Sequence, residues 1–190
     1  MPITLNGSGT VSGISAGGLP DGCIQSADFA TGVGGKILQV VSTTKTDVFS
    51  EATANATFSP AVLAATITPS NASNKILVSV NATVGMETGS RVGFGIFKAG
   101  SILTSATGDT DGSRTRVTSQ TDNYSSGRAE FIGAEFLDTA GGTSSITYDI
   151  RLIHGQGNTK YLYLNRPGNN GSSANYMRST STITLMEIAA

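Results

Sequence analysis

The sequence contains few charged residues, which make up 13% of its 190 positions. Globular proteins usually contain roughly 25%, and Gly, Ser, Thr and Asn take their place here, so we expect hydroxyl and amide groups to supply solubility. The 12 Lys and Arg residues nearly balance the 13 Asp and Glu residues, and no block of like charge occurs. Because no basic stripe is present to displace counterions from phosphate, we predict no nucleic-acid partner.

Long apolar runs are also absent. No run approaches the roughly 18 to 20 residues that a membrane span requires, so we predict no membrane partner. The first residues, MPITLNGSGT, have neither a basic start nor an apolar centre, unlike a secretory signal. We therefore expect synthesis in a cytoplasm without a signal peptide.

Cysteine and histidine occur once each, as Cys23 and His154. A single cysteine excludes an intramolecular disulfide and an all-cysteine metal site. His154 ends an alternating strand in register with Leu152, where a histidine with a hydrogen-bonded ring is more common than a catalytic base. The sequence has no Gly-x-Ser-x-Gly elbow and no phosphate-binding glycine-rich loop. We therefore predict no catalytic residue, metal site or cofactor.

Alternation of apolar and polar residues is the main positive signal. The segment 61–84, AVLAATITPSNASNKILVSVNATV, alternates, breaks at Pro69-Ser70-Asn71 and then alternates again from Ile76. Side chains two positions apart share a face in a strand but diverge on a helix. The segment therefore predicts two strands joined by a short connection, with one buried face and one hydroxyl-rich face.

The same pattern recurs along most of the chain and predicts an all-β fold. Further strands are predicted at 36–42, 47–51, 91–98, 101–104, 128–138, 144–154, 159–165, 175–178 and 181–188, with a weak one near 114–119. Ala99-Gly100 predicts a hairpin turn, a phase shift near Gly133 suggests a bulge, and 159–165 is expected to be buried on both faces. The set favours an antiparallel two-sheet sandwich of jelly-roll type. A β-solenoid is the alternative, but no fixed short repeat supports it.

Residues 1–35 differ from the remainder because they are rich in glycine and their apolar residues are isolated. Spacing this sparse does not build a core, but it can supply pegs for grooves on another surface, as in strand addition. The pegs are Ile3, Leu5, Val11, Ile14, Leu19, Ile24 and Phe29. A disordered linker is the other interpretation. The predicted organisation is an extended N-terminal docking arm at 1–35 followed by a β-sandwich domain at 36–190.

Four segments carry a resemblance to a known family. They are MPITLNGSGTVSGISAGGLPDG at 1–22, GKILQVV at 35–41, ATITPSNASNKILV at 65–78 and STITLMEIAA at 181–190. In this order they resemble small virion structural proteins of tailed bacteriophages, particularly cyanophages. The resemblance covers both ends and the first third of the chain, while 85–178 looks individual. It implies an arm that docks on the particle and an exposed β-rich domain, usually trimeric.

Two loop regions contain the side chains best suited to contact a receptor. The stretch 105–126 is long, polar and rich in turns, and a tip loop at 166–174 joins two predicted strands; binding residues often lie on such loops. Tyrosine can stack on a sugar and arginine can pair with an anion. The candidate receptor contacts are Tyr124, Arg128, Arg166, Asn169, Asn170, Tyr176 and Arg178. The alternative is that Tyr161 and Tyr163 are core residues and that the arginines balance nearby acids.

These observations favour a non-enzymatic structural protein on the surface of a tailed-phage virion. It would dock on other phage structural proteins of the capsid or tail and form a homotrimer, as a capsid decoration, head fibre or short tail appendage. The alternative is a tail-fibre adhesin that recognises a host surface glycan. A glycan-degrading enzyme would need two carboxyl groups roughly 5 to 10 Å apart, for which Glu130, Glu135 and Asp149 are the candidates. No repetitive shaft separates arm and domain, which favours the assembly role.

Overall fold

The computed structural model describes residues 36–87, 90–123 and 125–190. The strands in chain order are β1 Ile37–Lys45, β2 Phe49–Thr53, β3 Leu63–Ile67, β4 Lys75–Met86, β5 Ser90–Lys98, β6 Ser101–Ile102, β7 Ser119–Asn123, β8 Ala129–Thr139, β9 Ile146–His154, β10 Lys160–Leu164 and β11 Ser181–Ile188. A short 3-10 helix, Thr104–Ala106, follows β6. The predicted docking arm at 1–35, with all its apolar pegs, and the candidate contact Tyr124 lie outside the described residues.

The first sheet is organised around β4, which has neighbours along both sides. β8 runs antiparallel to it, from the pair Lys75 and Thr139 to the pair Gly85 and Ala129. On the other side β11 pairs with most of β4 and β10 pairs with its last residues, so that β11 and β10 lie end to end. β1 pairs with β11 and β2 pairs with β10, which completes this edge of the sheet.

The second sheet repeats this design around β5. β9 pairs with one side of β5 and carries β3 on its far side. On the other side of β5, β6 and β7 lie end to end. The two antiparallel sheets form a sandwich of jelly-roll type, which confirms the predicted fold class and excludes a solenoid for the part of the chain that the structure describes.

The core lies between the two sheets and is formed by alternate residues of the central strands. As predicted, the buried face of β4 begins at Ile76 and the opposite face carries hydroxyls and amides. Fully buried side chains of the central strands are Ile76, Val78, Val80, Ala82, Val84, Phe94, Ile96, Ile150 and Leu152. Burying each of the larger ones contributes about 1.5 to 3 kcal/mol, so this layer is the main source of stability.

One polar contact ties the two sheets together at the end of this core. Asp138 of β8 accepts hydrogen bonds from Lys98 Nζ of β5 and from the Tyr148 hydroxyl of β9, both at 2.7 Å. Burial and the neighbouring Asp138 carboxylate raise the pKa of Tyr148 well above its usual value. The hydroxyl therefore stays protonated and continues to donate to Asp138.

The hairpin predicted at Ala99-Gly100 is confirmed. Both residues have positive φ angles, 49° and 82°, as a two-residue type I′ turn requires. The bulge predicted near Gly133 is wrong, because the pairing of β8 with β4 runs without a register shift. A Cβ at position 133 would lie 2.9 Å from the carbonyl oxygen of Val80, so this glycine permits close approach of two strands.

The apparent phase shift in β8 came from apolar residues that face outward. Phe131 and Leu137 are 67% and 52% exposed, whereas Ile132 is buried and Phe136 packs against the core. Two further expectations were also wrong. The weak strand near 114–119 lies at Ser119–Asn123 instead, and 175–178 is irregular.

The carboxylate of Glu187 in β11 is fully buried and accepts four hydrogen bonds. Its Oε1 atom accepts from the backbone N–H and the hydroxyl of Ser70, each at 2.7 Å, and from Asn74 Nδ2 at 2.6 Å. Its Oε2 atom accepts from Gln39 Nε2 at 2.6 Å. These contacts join β1, the connection between β3 and β4, and β11; we call this set the Glu187 cluster.

Hydrogen bonding controls the ionisation of this carboxylate. Burial alone would raise the pKa of Glu187, but the hydrogen bonds from Gln39, Asn74 and Ser70 lower it to about 2. Because the folded-state pKa lies below the unfolded value near 4.5, ionised Glu187 stabilises the fold above that pH. This contribution is lost as the pH falls from the unfolded pKa through the folded one.

We expect Glu187→Gln to lower the free energy of unfolding at pH 7 by about 3 kcal/mol, because its new amide N–H group would face donors that need an acceptor. It should also flatten the decline in stability between pH 4.5 and about 2. Urea unfolding across this pH range measures both effects. Glu135→Gln is the matched control, since Glu135 is exposed. An unchanged urea midpoint for Glu187→Gln at pH 7 would show that the cluster contributes little.

Candidate functional site

The tip loop leaves the first sheet at Asn165, in the gap between β10 and β11. Asn165 is fully buried and has a positive φ angle of 63°, which asparagine tolerates better than most residues. Its Nδ2 donates to the carbonyl oxygens of Lys45 and Asp47 at 2.8 and 2.9 Å. Its Oδ1 accepts from the Ser181 hydroxyl at 2.6 Å. One side chain thus links the segment between β1 and β2 to the start of β11, at the point where β10 ends.

Arg166 is buried and fastens the start of the tip loop. Its guanidinium carbon lies 3.9 Å from the centre of the Tyr163 ring, a cation–π contact. Its NH1 group donates to the carbonyl oxygens of Pro167 and Gly168 at 3.2 and 3.3 Å. The candidate contact Arg166 is therefore buried and does not belong to an exposed receptor surface.

Two glycines allow the tip loop to pack directly on the end of β4. A Cβ at Gly85 would collide with the carbonyl oxygen of Arg166, and a Cβ at Gly168 would lie 2.5 Å from the carbonyl oxygen of Met86. Real side chains do not fit at such distances, so glycine is required at both positions. The base of the loop is consequently held by backbone contact as well as by Asn165.

The tip loop also contacts the segment 125–128, so most candidate receptor contacts lie together. The backbone N–H of Asn169 donates to Ser126 O at 2.5 Å, and Asn169 Nδ2 donates to the Tyr176 hydroxyl at 2.9 Å. Arg178 donates to Asn170 Oδ1 at 2.6 Å. The exposed members of this group are Arg128, Asn169, Asn170 and Arg178, with Tyr176 partly buried among them. We call these five residues the tip cluster.

The chemistry of the tip cluster is that of a polar recognition surface. It presents amide, hydroxyl and guanidinium groups, and Arg128 forms an ion pair with Glu130 at 3.1 Å. Because Asn169 bonds to Tyr176 and Asn170 bonds to Arg178, these four side chains are positioned before any ligand arrives, which lowers the entropy cost of binding. Met177, which is 77% exposed, adds apolar area that the sequence analysis did not identify.

Tyr161 is a second exposed residue that the sequence analysis placed differently. It is 48% exposed and its ring is parallel to that of Tyr163, with centroids 6.3 Å apart. The buried positions of β10 are Leu162 and Leu164 together with Tyr163, so the expectation that this strand is buried on both faces is wrong at Tyr161. Alternation with the two leucines was the signal that could have identified an outward-facing tyrosine.

His154 has the structural role that its position predicted. The ring is buried, and Nε2 lies 2.9 Å from the carbonyl oxygen of Thr53. Nδ1 accepts from the backbone N–H of Gln156 at 3.2 Å, so the ring proton resides on Nε2 and is donated to Thr53. Both nitrogens are therefore occupied by backbone partners.

The carboxylates considered for glycoside hydrolysis are dispersed. Glu130 pairs across the strands with buried Val84 and Glu135 with Ser79, which places the two glutamates on opposite faces of β8. Asp149 lies in the other sheet and accepts from Arg151 at 2.8 Å. Among the described residues, no group of three or more His, Cys, Asp or Glu could hold a metal ion.

Over the same residues, the structure contains no helix with the length and apolar character needed to cross a bilayer.

No protein-family model and no curated protein matches this sequence. Among solved structures, the fold is similar to a chain in the structure of infectious bursal disease virus, Gx strain, with a TM-score of 0.38 and 14% sequence identity. The similarity covers 80% of this chain and 37% of the viral chain, so this chain spans little more than a third of its length. At this level of similarity, function has to be inferred from the residues of the chain itself.

Proposed function

We propose that this chain is a non-enzymatic structural protein of a tailed-phage virion. Its N-terminal arm docks on other structural proteins of the capsid or tail, and its β-sandwich is displayed on the particle surface as a capsid decoration, head fibre or short tail appendage. The resemblance of four segments to virion proteins supports its assignment to a virion particle. The surface chemistry of the first sheet supports an assembly role.

The observation that carries the assembly role is an apolar row on the outer face of the first sheet. Val40, Met186, Leu77 and Leu137 are direct cross-strand neighbours on β1, β11, β4 and β8. Val40 and Leu137, at its two ends, are 55% and 52% exposed. Leu77 and Met186 between them are partly exposed, and a contiguous apolar patch of this kind marks an interaction surface. We call these four residues the apolar row.

On β1 and β11 the face beside the apolar row carries paired hydroxyls, while charge enters it only at Lys75 of β4 and Glu135 of β8 among these paired positions. The hydroxyls of Ser42 and Thr184 lie 2.9 Å apart, and those of Thr44 and Thr182 lie 3.1 Å apart. Because these hydroxyls hydrogen-bond to one another, removing them from water costs less than burying unpaired polar groups. A flat face of this composition suits packing against a second copy of the chain, and we propose that it contributes to a homotrimer.

Deleting residues 1–30 tests the docking arm. We expect the truncated chain to be absent from purified particles, because the groups proposed to dock have been removed. Its thermal unfolding should match that of the full chain, since the core and the Glu187 cluster belong to residues 37–190. Immunoblotting of purified particles, with the infected lysate as loading control, measures incorporation. Normal incorporation of the truncated chain would contradict the role of the arm.

Leu137→Asp tests the apolar row. A carboxylate placed in a packed interface has to be desolvated, so this variant should have the mass of a monomer in light scattering when the parent has the mass of a trimer. Phe131→Asp is the matched control, because Phe131 is exposed on the same face of the same strand but lies outside the row. Equal masses for Leu137→Asp and its parent would show that the row is not an interface.

The alternative function is a tail-fibre adhesin that recognises a host surface glycan, and the preorganised tip cluster favours it. Exchanging residues 169–174 spares Arg166 and the contacts that fasten the loop. If the chain is an adhesin, particles with the exchanged loop should assemble normally and adsorb to host cells at an altered rate. Adsorption equal to that of parent particles would contradict receptor binding by this loop.

A further inference from the structure

A second loop excursion folds over the outer face of the second sheet. The chain leaves β6 with the N–H of Leu103 bonded to Ile96 O at 2.9 Å and returns with the N–H of Thr118 bonded to Phe94 O at 2.8 Å. Between these points it makes a turn in which the N–H of Arg114 donates to Asp111 O at 3.1 Å. We call residues 103–118 the sheet loop.

An open cleft of about 700 Å³ lies between the sheet loop, residues 55–56 and the ends of β5 and β9. Its volume is within the range of about 300 to 1,000 Å³ that is typical of small-ligand sites. The floor includes Gly93 of β5 and Ile153 of β9. A Cβ at Gly93 would lie 2.7 Å from the carbonyl oxygen of Ser119, so the glycine allows β7 to approach β5 at the base of the cleft.

The lining of this cleft is polar at its sides and carries positive charge. Asn55 and Gln120 contribute amides, and Arg91 and Arg114 contribute guanidinium groups. Its described lining residues include no Asp or Glu, although the whole chain has a net charge of −1. The cleft therefore presents two guanidinium groups and two amides to solvent.

Both arginines are anchored by carboxylates that lie outside the lining. Arg91 Nε is 2.8 Å from Asp122 Oδ1, and Arg114 Nε is 3.2 Å from Asp111 Oδ2. Their side chains are nonetheless 70% and 83% exposed. A guanidinium has several N–H groups beyond Nε, and these can bind a carboxylate or phosphate in a bidentate manner.

We propose that this cleft binds an acidic saccharide. The amides of Asn55 and Gln120 bond the hydroxyls of the sugar, and the guanidinium groups of Arg91 and Arg114 pair with its carboxylate or phosphate. Neither the proposed docking of the arm nor the apolar row involves these residues. The site therefore goes beyond the proposed structural role and lies on the other sheet from the tip cluster.

Calorimetric titration of the full-length chain tests this site. The probes are trigalacturonate, which carries carboxylates, glucose 6-phosphate, which carries a phosphate, and neutral maltotriose. At least one acidic probe should bind, and maltotriose should bind more weakly by about tenfold, the ratio expected from the loss of one charge-assisted hydrogen bond. Preference for one acidic probe identifies which anionic group the cleft accepts.

Arg91→Gln and Arg114→Gln should each weaken binding of the acidic probe by about tenfold. Lys36→Gln is the matched control, because Lys36 is an exposed cation before β1 and lines neither the cleft nor the tip cluster. Thermal unfolding of each variant verifies that the fold is retained. The proposal is overturned if neither acidic probe binds, if maltotriose binds equally well, or if Lys36→Gln weakens binding as much as the cleft variants. None of these binding results depends on incorporation into particles. Failure of the proposed cleft site is therefore distinguishable from failure of the proposed structural role.

Discussion

The buried carboxylate of Glu187 is the contact on which the first sheet depends most. A buried ionised group is costly unless hydrogen bonds replace its hydration, and here Gln39, Ser70 and Asn74 supply those bonds. Gln39 comes from β1 and the other two donors come from the connection before β4, so the carboxylate of β11 is satisfied only when all three segments are in place. This requirement fixes the relative register of the edge and the centre of the sheet.

The Glu187 cluster also gives a physical meaning to the segments that resemble virion proteins. Gln39 lies in GKILQVV, Ser70 and Asn74 lie in ATITPSNASNKILV, and Glu187 lies in STITLMEIAA. Segments that are distant in sequence thus form one hydrogen-bonded unit at one end of the first sheet. Within the described residues, the segments that carry the resemblance therefore have a structural role in the first sheet. The individual part of the chain, 85–178, contains the sheet loop and the tip loop.

Both sheets use the same device to present loops without weakening the sandwich. A central strand, β4 or β5, is paired on one side by two short strands that lie end to end, and the chain makes its excursion at the gap between them. The central strand stays hydrogen-bonded on both sides, so a loop can change in length or composition while the core remains. The outer face of the first sheet is thus separate from the two loop-bearing surfaces, the tip cluster and the cleft.

Alternation predicted the sandwich and its strands because a period of two reports which residues share a face. It failed where apolar residues face solvent: Phe131 and Leu137 simulated a phase shift, and Tyr161 was assigned to the core. It identified the tip cluster as a set of candidates but not the burial of Arg166, which depends on contact with Tyr163. The cleft was missed altogether, since its walls come from segments brought together only by the pairing of β5 with β7 and β9.

Quantitative mass spectrometry of purified phage particles tests the virion role most directly. We expect peptides from residues 37–190 to be present at a fixed number of copies per particle and to remain after washing at high salt. That copy number, compared with the number of capsid subunits, assigns the chain to the capsid or to the tail. Peptides that are abundant in the infected lysate but absent from purified particles would contradict the structural role proposed here.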